Sequence, residues 1–305
     1  MKKVGKATIA LLLSAFLLAS CSNNGGSSEA VNNTGNSPTA APSQEASAVP
    51  AGTNDSATNT GNSEENPASP SPQANHDAES STGGNEQAAE IPLLYHMNKN
   101  YDIVPNEEGT PKKVVLLTFD DGPKEAKMIN SIIDTLDKHH AKAIFFMNGY
   151  RIKEHPELLK LIHERGGILG NHSWDHIELK NKPYDTVKKQ IEDVQTAVKD
   201  ITGETPHFFR PPYGAGGDVG KKVAAENGML YMTWSVGSLD WEMKEKDSNK
   251  TEKLIGNVTD QLHSGSNILM HELPWTTEAL DKLLTTLEEK GYSFVDPRSI
   301  ELKMR

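Results

Sequence analysis

Residues 114–123 read Val-Val-Leu-Leu-Thr-Phe-Asp-Asp-Gly-Pro. The opening run is almost continuously apolar, as strands buried on both faces of a parallel sheet are. It then ends abruptly in two carboxylates, a glycine and a proline. Working outward, residues 125–139 carry helical spacing through Met128, Ile132, Ile133 and Leu136. Strands are expected at 143–147, 168–171, 208–210, 229–235, 267–271 and 292–295. Helices are expected at 155–165, 184–201, 219–227, 250–263 and 276–290. Pro156 sits in the first turn of one helix, with Gly166-Gly167 behind it as a stop. Seven strands thus alternate with six helices, the pattern of an α/β parallel sheet, either open and doubly wound or closed into a barrel. No Gly-rich phosphate loop follows the first strand, and no internal repeat is visible.

The polar residues collect where strands end. Asp120-Asp121-Gly122-Pro123 follows the first strand, and Asn171-His172-Ser173-Trp174-Asp175-His176 the third. Arg210-Pro211-Pro212-Tyr213-Gly214 follows the fourth, Ser238-Leu239-Asp240-Trp241 the fifth, and the sixth ends in His271-Glu272. In a barrel these carboxyl ends converge on one face, where active sites are built. Neighbouring ionised carboxylates repel unless a metal or an arginine compensates. His172 and His176 are spaced so that two imidazoles can meet on one helical face or turn. One Asp plus two His is a three-ligand set that leaves a position open on Zn²⁺ or a similar ion.

Together the segments TFDDGP (118–123), HSxxH (172–176), RPPYG (210–214), SLDW (238–241) and LMH (269–271) resemble the five motifs of the polysaccharide deacetylases. That family is also called carbohydrate esterase family 4, or the NodB homology domain. The resemblance spans about residues 112–300 in the family's motif order. It implies an α/β fold of the distorted (β/α)7–8 barrel type and a metal-dependent hydrolase that removes acetyl groups from N-acetylated sugars. The implied metal ligands are Asp121, His172 and His176, holding Zn²⁺ or another divalent transition metal such as Co²⁺. Asp120 becomes the general base, His271 the general acid, Arg210 the partner of Asp120, and Asp240 the partner of His271. The Tyr213 backbone N–H is assigned to the oxyanion, and Trp241 and Leu269 to walls around the acetyl methyl. Chemistry agrees with two titrating groups, because an amine leaves poorly unprotonated. Relatives often carry Asp where this chain has Gly237. Glu272 stands where Asp is common, a change that keeps the charge. Trp174 reads equally as packing or as a sugar platform, Trp275 as a loop residue able to stack on sugar. His139, His140, His155, His163 and His263 fall on helices and read as solvated.

The flanking sequence accounts for an odd composition. Only 35% of the 305 residues are hydrophobic and the net charge is −11, against about 45–50% apolar for an ordinary domain. Residues 22–90 hold nine carboxylates, no Lys or Arg, and only Val31 and Val49 as large aliphatics. This segment is expected to be a disordered linker, roughly 45 Å in root-mean-square span. Residues 1–20 have the charged start and short apolar core of a signal peptide. Their small residues before Cys21, the lone cysteine, resemble a bacterial lipobox. The expected organisation is therefore a lipoprotein signal (1–20), a lipidated Cys21 with its linker (21–90), and a catalytic domain (91–305). Membrane attachment through Cys21 would place the domain outside the cytoplasm, facing a cell wall. The acidic balance argues against nucleic acid as a partner, and one cysteine against a disulfide scaffold. A monomer acting on peptidoglycan or a chitin-like glycan is expected. The alternatives are an O-acetyl esterase on a polysaccharide such as xylan, or a catalytically silent glycan-binding wall lipoprotein.

Overall fold

The structure, a computed structural model, describes residues 91–305. The signal peptide, the lipidated Cys21 and the linker expected from the sequence lie outside the described residues. Among the described residues no helix is long and apolar enough to cross a membrane.

A short antiparallel hairpin, β1 (Tyr95–Met97) and β2 (Ile103–Pro105), precedes the barrel. The barrel elements follow in order: β3 (Val114–Gly122), α1 (Ala126–Lys138), β4 (Ala143–Met147), α2 (Gly149–Glu154), α3 (Pro156–Glu164) and β5 (Ile168–Asn171). Next come α4 (Tyr184–Thr202), β6 (Phe208–Phe209), α5 (Gly217–Glu226), β7 (Leu230–Tyr231) and β8 (Val236–Gly237). Then α6 (Lys250–Gln261), β9 (Ser266–His271), α7 (Pro274–Glu289) and β10 (Ser293–Phe294) complete the chain. The strands form one parallel sheet in the order β7-β6-β5-β4-β3-β9-β8, with β10 pairing β3. This curled sheet with its helices is the distorted (β/α) barrel that the resemblance implies.

Strand alternation places the site. Along β3, Val115, Leu117 and Phe119 face outward and pack with Ile129, Ile132, Ile133 and Leu136 of α1 and with the apolar residues of α7. Val114 and Leu116 face inward, together with Ile144 and Phe146 of β4, Phe208 of β6 and Leu230 of β7. The next two inward positions of β3 are Thr118 and Asp120. The interior therefore changes from apolar at the strands' amino ends to polar at their carboxyl ends. Tyr95, Met97 and Ile103 of the hairpin join Val295 and Ile300 in closing the apolar end.

Two expectations need correction. The single strand expected at 229–235 is split. β7 and β8 lie at opposite ends of the sheet path, yet only Met232–Ser235 separates them. The Met232 N–H donates to Phe209 O and the Ser235 N–H to Asn267 O, so this segment spans the gap and closes the barrel. His139, expected to be solvated, caps α1 and is buried between two carboxylates of α7, Asp281 (2.8 Å) and Glu288 (2.9 Å).

Candidate active site

One ligand atom from each of Asp121, His172 and His176 lies within 4.8 Å of the others. Asp121 Oδ1 is 3.1 Å from His176 Nε2 and 3.6 Å from His172 Nε2. That oxygen is buried and receives no well-directed hydrogen bond. Donor atoms that face a common point without bonding each other suit a cation between them, and a carboxylate with two imidazoles suits a divalent transition ion. His172 Nδ1 lies 2.7 Å from the Arg210 carbonyl. A carbonyl only accepts, so Nδ1 carries the proton and Nε2 presents its lone pair to the cluster. Burial lowers the His172 pKa, against the raising charges of Asp120 and Asp121, and so favours the neutral ring a metal needs. Burial pushes the Asp121 carboxyl up, but the facing His176 and His172 more than offset it and hold it well below the usual range.

The two histidines meet in a loop rather than on a helix. Asn148 donates to His172 O at 2.9 Å, and Asn171 Oδ1 accepts from the Ser173 N–H at 3.0 Å, which fixes the loop from below. Asp121, Ser173, His176, Tyr213 and Leu239 all have left-handed φ between 52 and 66°. Non-glycine residues adopt that region at an energetic cost, and its concentration in these loops marks a site whose side-chain directions are imposed by the fold.

Asp120 points into the barrel mouth and is bound by Arg210, whose Nη1 lies 2.7 Å from Oδ1. Arg210 is fully buried, and burial lowers its pKa against the raising influence of Asp120. Every side of its guanidinium is used: Thr118 Oγ1 accepts at 2.8 Å, Thr233 O at 2.8 and 3.1 Å, and Asn267 Oδ1 at 3.2 Å. Its plane also lies 4.4 Å from the Phe146 ring centroid.

Across β3 and β9, Asp120 and His271 are register partners. Asp240 is fully buried and its Oδ1 lies 2.8 Å from His271 Nδ1. Its Oδ2 accepts from the His271 N–H at 2.8 Å and from Thr276 Oγ1 at 2.7 Å. Burial lowers the His271 pKa, but the bond and charge of Asp240, then Asp120 and Asp121, prevail and raise it. In the Pro211–Ala215 turn, prolines 211 and 212 have no N–H, while Gly214 and Ala215 donate to Pro211 O and Pro212 O. The Tyr213 N–H is the donor that those bonds leave over. The Tyr213 ring (68% exposed) lies 4.8 Å from His176, and Trp241 (40% exposed) stands 5.4 Å from His271. Leu269 is buried and shares the inward face of β9 with Asn267 and His271.

All ten residues singled out in the sequence therefore meet at the carboxyl end of the barrel. Of the other residues, Trp174 takes the packing reading, and the readings of Trp275 and Glu272 are corrected. Trp174 lies over Gly149, where a Cβ would sit 2.1 Å from its ring, and packs into the core. Trp275 belongs to α7, not a loop, and its indole donates to Asp240 O at 2.9 Å. Glu272 does not simply keep a charge. It is fully buried, its Oε1 has no partner, and burial pushes its pKa up to about 7 against the lowering effect of the Lys124 N–H. Thr118, Asn267, Thr276, Asn148, Lys124 and Arg151 were not foreseen. Thr118 opens the TFDDGP segment but was given no role, and the others lie outside the five motifs and reach the site only through the folded chain.

A family model described as "Polysaccharide deacetylase" matches residues 107–232. The chain is 39% identical over 207 residues to a peptidoglycan-N-acetylglucosamine deacetylase of Listeria monocytogenes, covering 65% of this chain and 42% of that protein. It is 32% identical over 200 residues to a peptidoglycan-N-acetylmuramic acid deacetylase of Bacillus subtilis, covering 64% of this chain and 75% of that protein. A wild-type carbohydrate esterase family 4 pseudoenzyme from Bacillus anthracis is structurally similar, with a TM-score of 0.56 and 32% identity over 60% of this chain and 63% of that one. The chain thus spans about two-fifths of the length of its Listeria relatives.

Proposed function

The chain belongs to the polysaccharide deacetylase family, and we propose that it is a metal-dependent hydrolase that removes N-acetyl groups from peptidoglycan outside the cytoplasm. The observation that carries this reading is the convergence of Asp121, His172 and His176 beside an Arg210-bound Asp120, with an Asp240-bound His271 on the adjoining strand. Relatives named for both peptidoglycan sugars favour that polymer over chitin or acetylated xylan. The lipobox-like Cys21 supports attachment to the cell membrane, on the wall side.

Asp121, His172 and His176 would hold the ion, with Zn²⁺ favoured by their donor types. When bound, such an ion supplies a Lewis acid that acidifies water and polarises the acetyl carbonyl. Asp120, paired to Arg210 and outside the ligand set, takes the water proton. The Tyr213 N–H faces the oxygen on which negative charge develops. Trp241 and Leu269 exclude water around the methyl. His271 has Nδ1 committed to Asp240, so its Nε2 carries the proton to the departing amine. Water and amide thus become acetic acid and free amine, with one proton taken by Asp120 and one given by His271, and the acid ionises on release.

The test is acetate release from peptidoglycan and from N-acetylchitooligosaccharide, with elemental analysis of the protein. Release that stops after chelation and returns with added Zn²⁺ or Co²⁺ is expected, and Asp121→Asn should lose both metal and activity. Turnover by the metal-free protein would overturn the mechanism. Because a structurally similar protein is described as a pseudoenzyme, glycan binding without any acetate release would favour the silent-binder reading instead.

A further inference from the structure

Lys124 and Arg151 have no role in the chemistry above, yet both stand at its edge. Lys124 follows Asp121 by three residues, and Arg151 lies on α2, just beyond the end of β4. The Asn148 N–H donates to Gly122 O at 2.9 Å, which joins the two loops. The N–H groups of Gly149 and Tyr150 donate to Ser173 O and Trp174 O, which joins α2 to the loop holding His172 and His176. The two cations therefore share the barrel mouth with the metal ligands.

Both side chains are half-buried, and neither has an ion-pair partner among the described residues. The Arg151 Nε is buried with no hydrogen-bond partner, and its guanidinium is steadied 5.0 Å from the Tyr150 ring centroid. The nearby acid, Glu272, feels both positive charges but makes no direct ion pair with either among the described residues. Its Oε2 accepts the backbone N–H of Lys124 at 2.9 Å, and its Oε1 lies against Gly122, where a Cβ would be 2.1 Å away. Burial lowers the Lys124 pKa, the direction expected of a cation partly withdrawn from water. Two partly desolvated cations without a direct ion pair are unfavourable alone and become favourable when a ligand brings an anion within hydrogen-bond reach. A planar guanidinium and an ammonium carried on two joined loops suit a carboxylate, which can accept from both.

We propose that Lys124 and Arg151 form a carboxylate-binding subsite that selects glycan strands bearing acidic substituents. This rests on the deacetylase reading. Peptidoglycan supplies two carboxylate sources that neutral N-acetylglucosamine polymers lack: the lactyl group on the carbon next to the acetamido carbon of muramic acid, and the peptide stems. The first is free only on strands whose peptide has been cleaved off.

The experiment uses the full chain with N-acetylchitotetraose, with peptide-stripped glycan strands, and with peptide-bearing strands. The ratio of acidic to neutral kcat/KM is compared within each protein preparation, so any misfolded fraction cancels. Lys124→Met should lower that ratio about tenfold, mainly through KM, and Lys124→Met/Arg151→Met should lower it further. Lys124→Arg should restore most of it. Added salt should erode the preference of the wild type and not that of the double variant. Preference for stripped strands identifies the lactyl carboxylate, and preference for peptide-bearing strands the stem. Calorimetric binding of stripped and peptide-bearing strands is measured separately. Equal ratios and equal binding in wild type and double variant would overturn the subsite. Charge-dependent binding without acetate release would leave the subsite standing and overturn the deacetylase reading alone.

Discussion

Asp240→Asn is the most informative single substitution. The Asp240 carboxylate is fully buried, and both its oxygens accept from His271, one from the ring and one from the backbone. Asparagine keeps the shape but offers one acceptor. Either the His271 ring N–H or its backbone N–H must then face an amide NH₂, a loss of about 1–3 kcal/mol in stability. The charge effect is larger. An imidazolium and a carboxylate about 4 Å apart attract by about 4 kcal/mol at an effective dielectric near 20, a ceiling of roughly 10³ in rate. With shape and one bond retained, kcat should fall on the order of 10²–10³-fold. The direction in pH follows from the raised pKa of His271, which Asp240 leads in causing among the neighbours. Removing that charge lets the ring lose its proton at lower pH. The alkaline limb of kcat/KM should move toward acid, and activity should recover partly as pH is lowered. Acetate-release profiles on the metal-loaded variant, alongside Thr276→Val, which removes one bond but no charge, measure this. A large fall in kcat with an unmoved alkaline limb would refute the proton-donor role and reduce Asp240 to a structural residue.

Arg210→Met should abolish activity and destabilise the fold by about 3–5 kcal/mol, because it strands the buried Asp120 charge; adding Asp120→Asn should recover part of that stability in denaturant melts. Gly237→Asp places a Cβ 3.1 Å from Trp241 Cη2 and 3.8 Å from Trp234 Nε1. Trp241 must shift, so KM should change several-fold with altered tryptophan fluorescence, and an unchanged KM would remove Trp241 from the substrate wall. The Glu272 carboxyl has a folded pKa of about 7 against an ordinary 4.5, so the folded state holds its proton longer. Its contribution to stability should then be fully present below pH 4.5 and decline by about 3 kcal/mol as pH rises to 7 in the metal-free protein. Glu272→Gln should flatten that decline in paired melts at pH 5 and pH 8.

Long apolar runs and helical spacing made most elements legible, including β3, β4, α1 and α4, whose residues are buried on the face their period indicates. Short elements were not. α2 has six residues, too few for a period to emerge. The break between β7 and β8 was hidden because nothing in Met232-Thr233-Trp234-Ser235 signals a turn. Thr233 O accepts from the Arg210 and Asn267 side chains instead of from a strand neighbour, a partnership made by residues 23 and 34 positions away. The site shows the same divide. Residues at strand ends could be found because convergence is a property of the fold. Thr276 and Asn267 could not, because each acts by completing another side chain's bonds.

The segment that closes the barrel has a further consequence. Thr233 O is held by the same guanidinium that holds Asp120, and Ser235 carries the bond to β9. Opening the seam between β7 and β8 would release Arg210, and withdrawing Arg210 would unlatch the seam. Barrel closure and the Arg210–Asp120 pair therefore rest on the same set of hydrogen bonds. A barrel unzipped at this seam would leave the Asp120 charge without its partner.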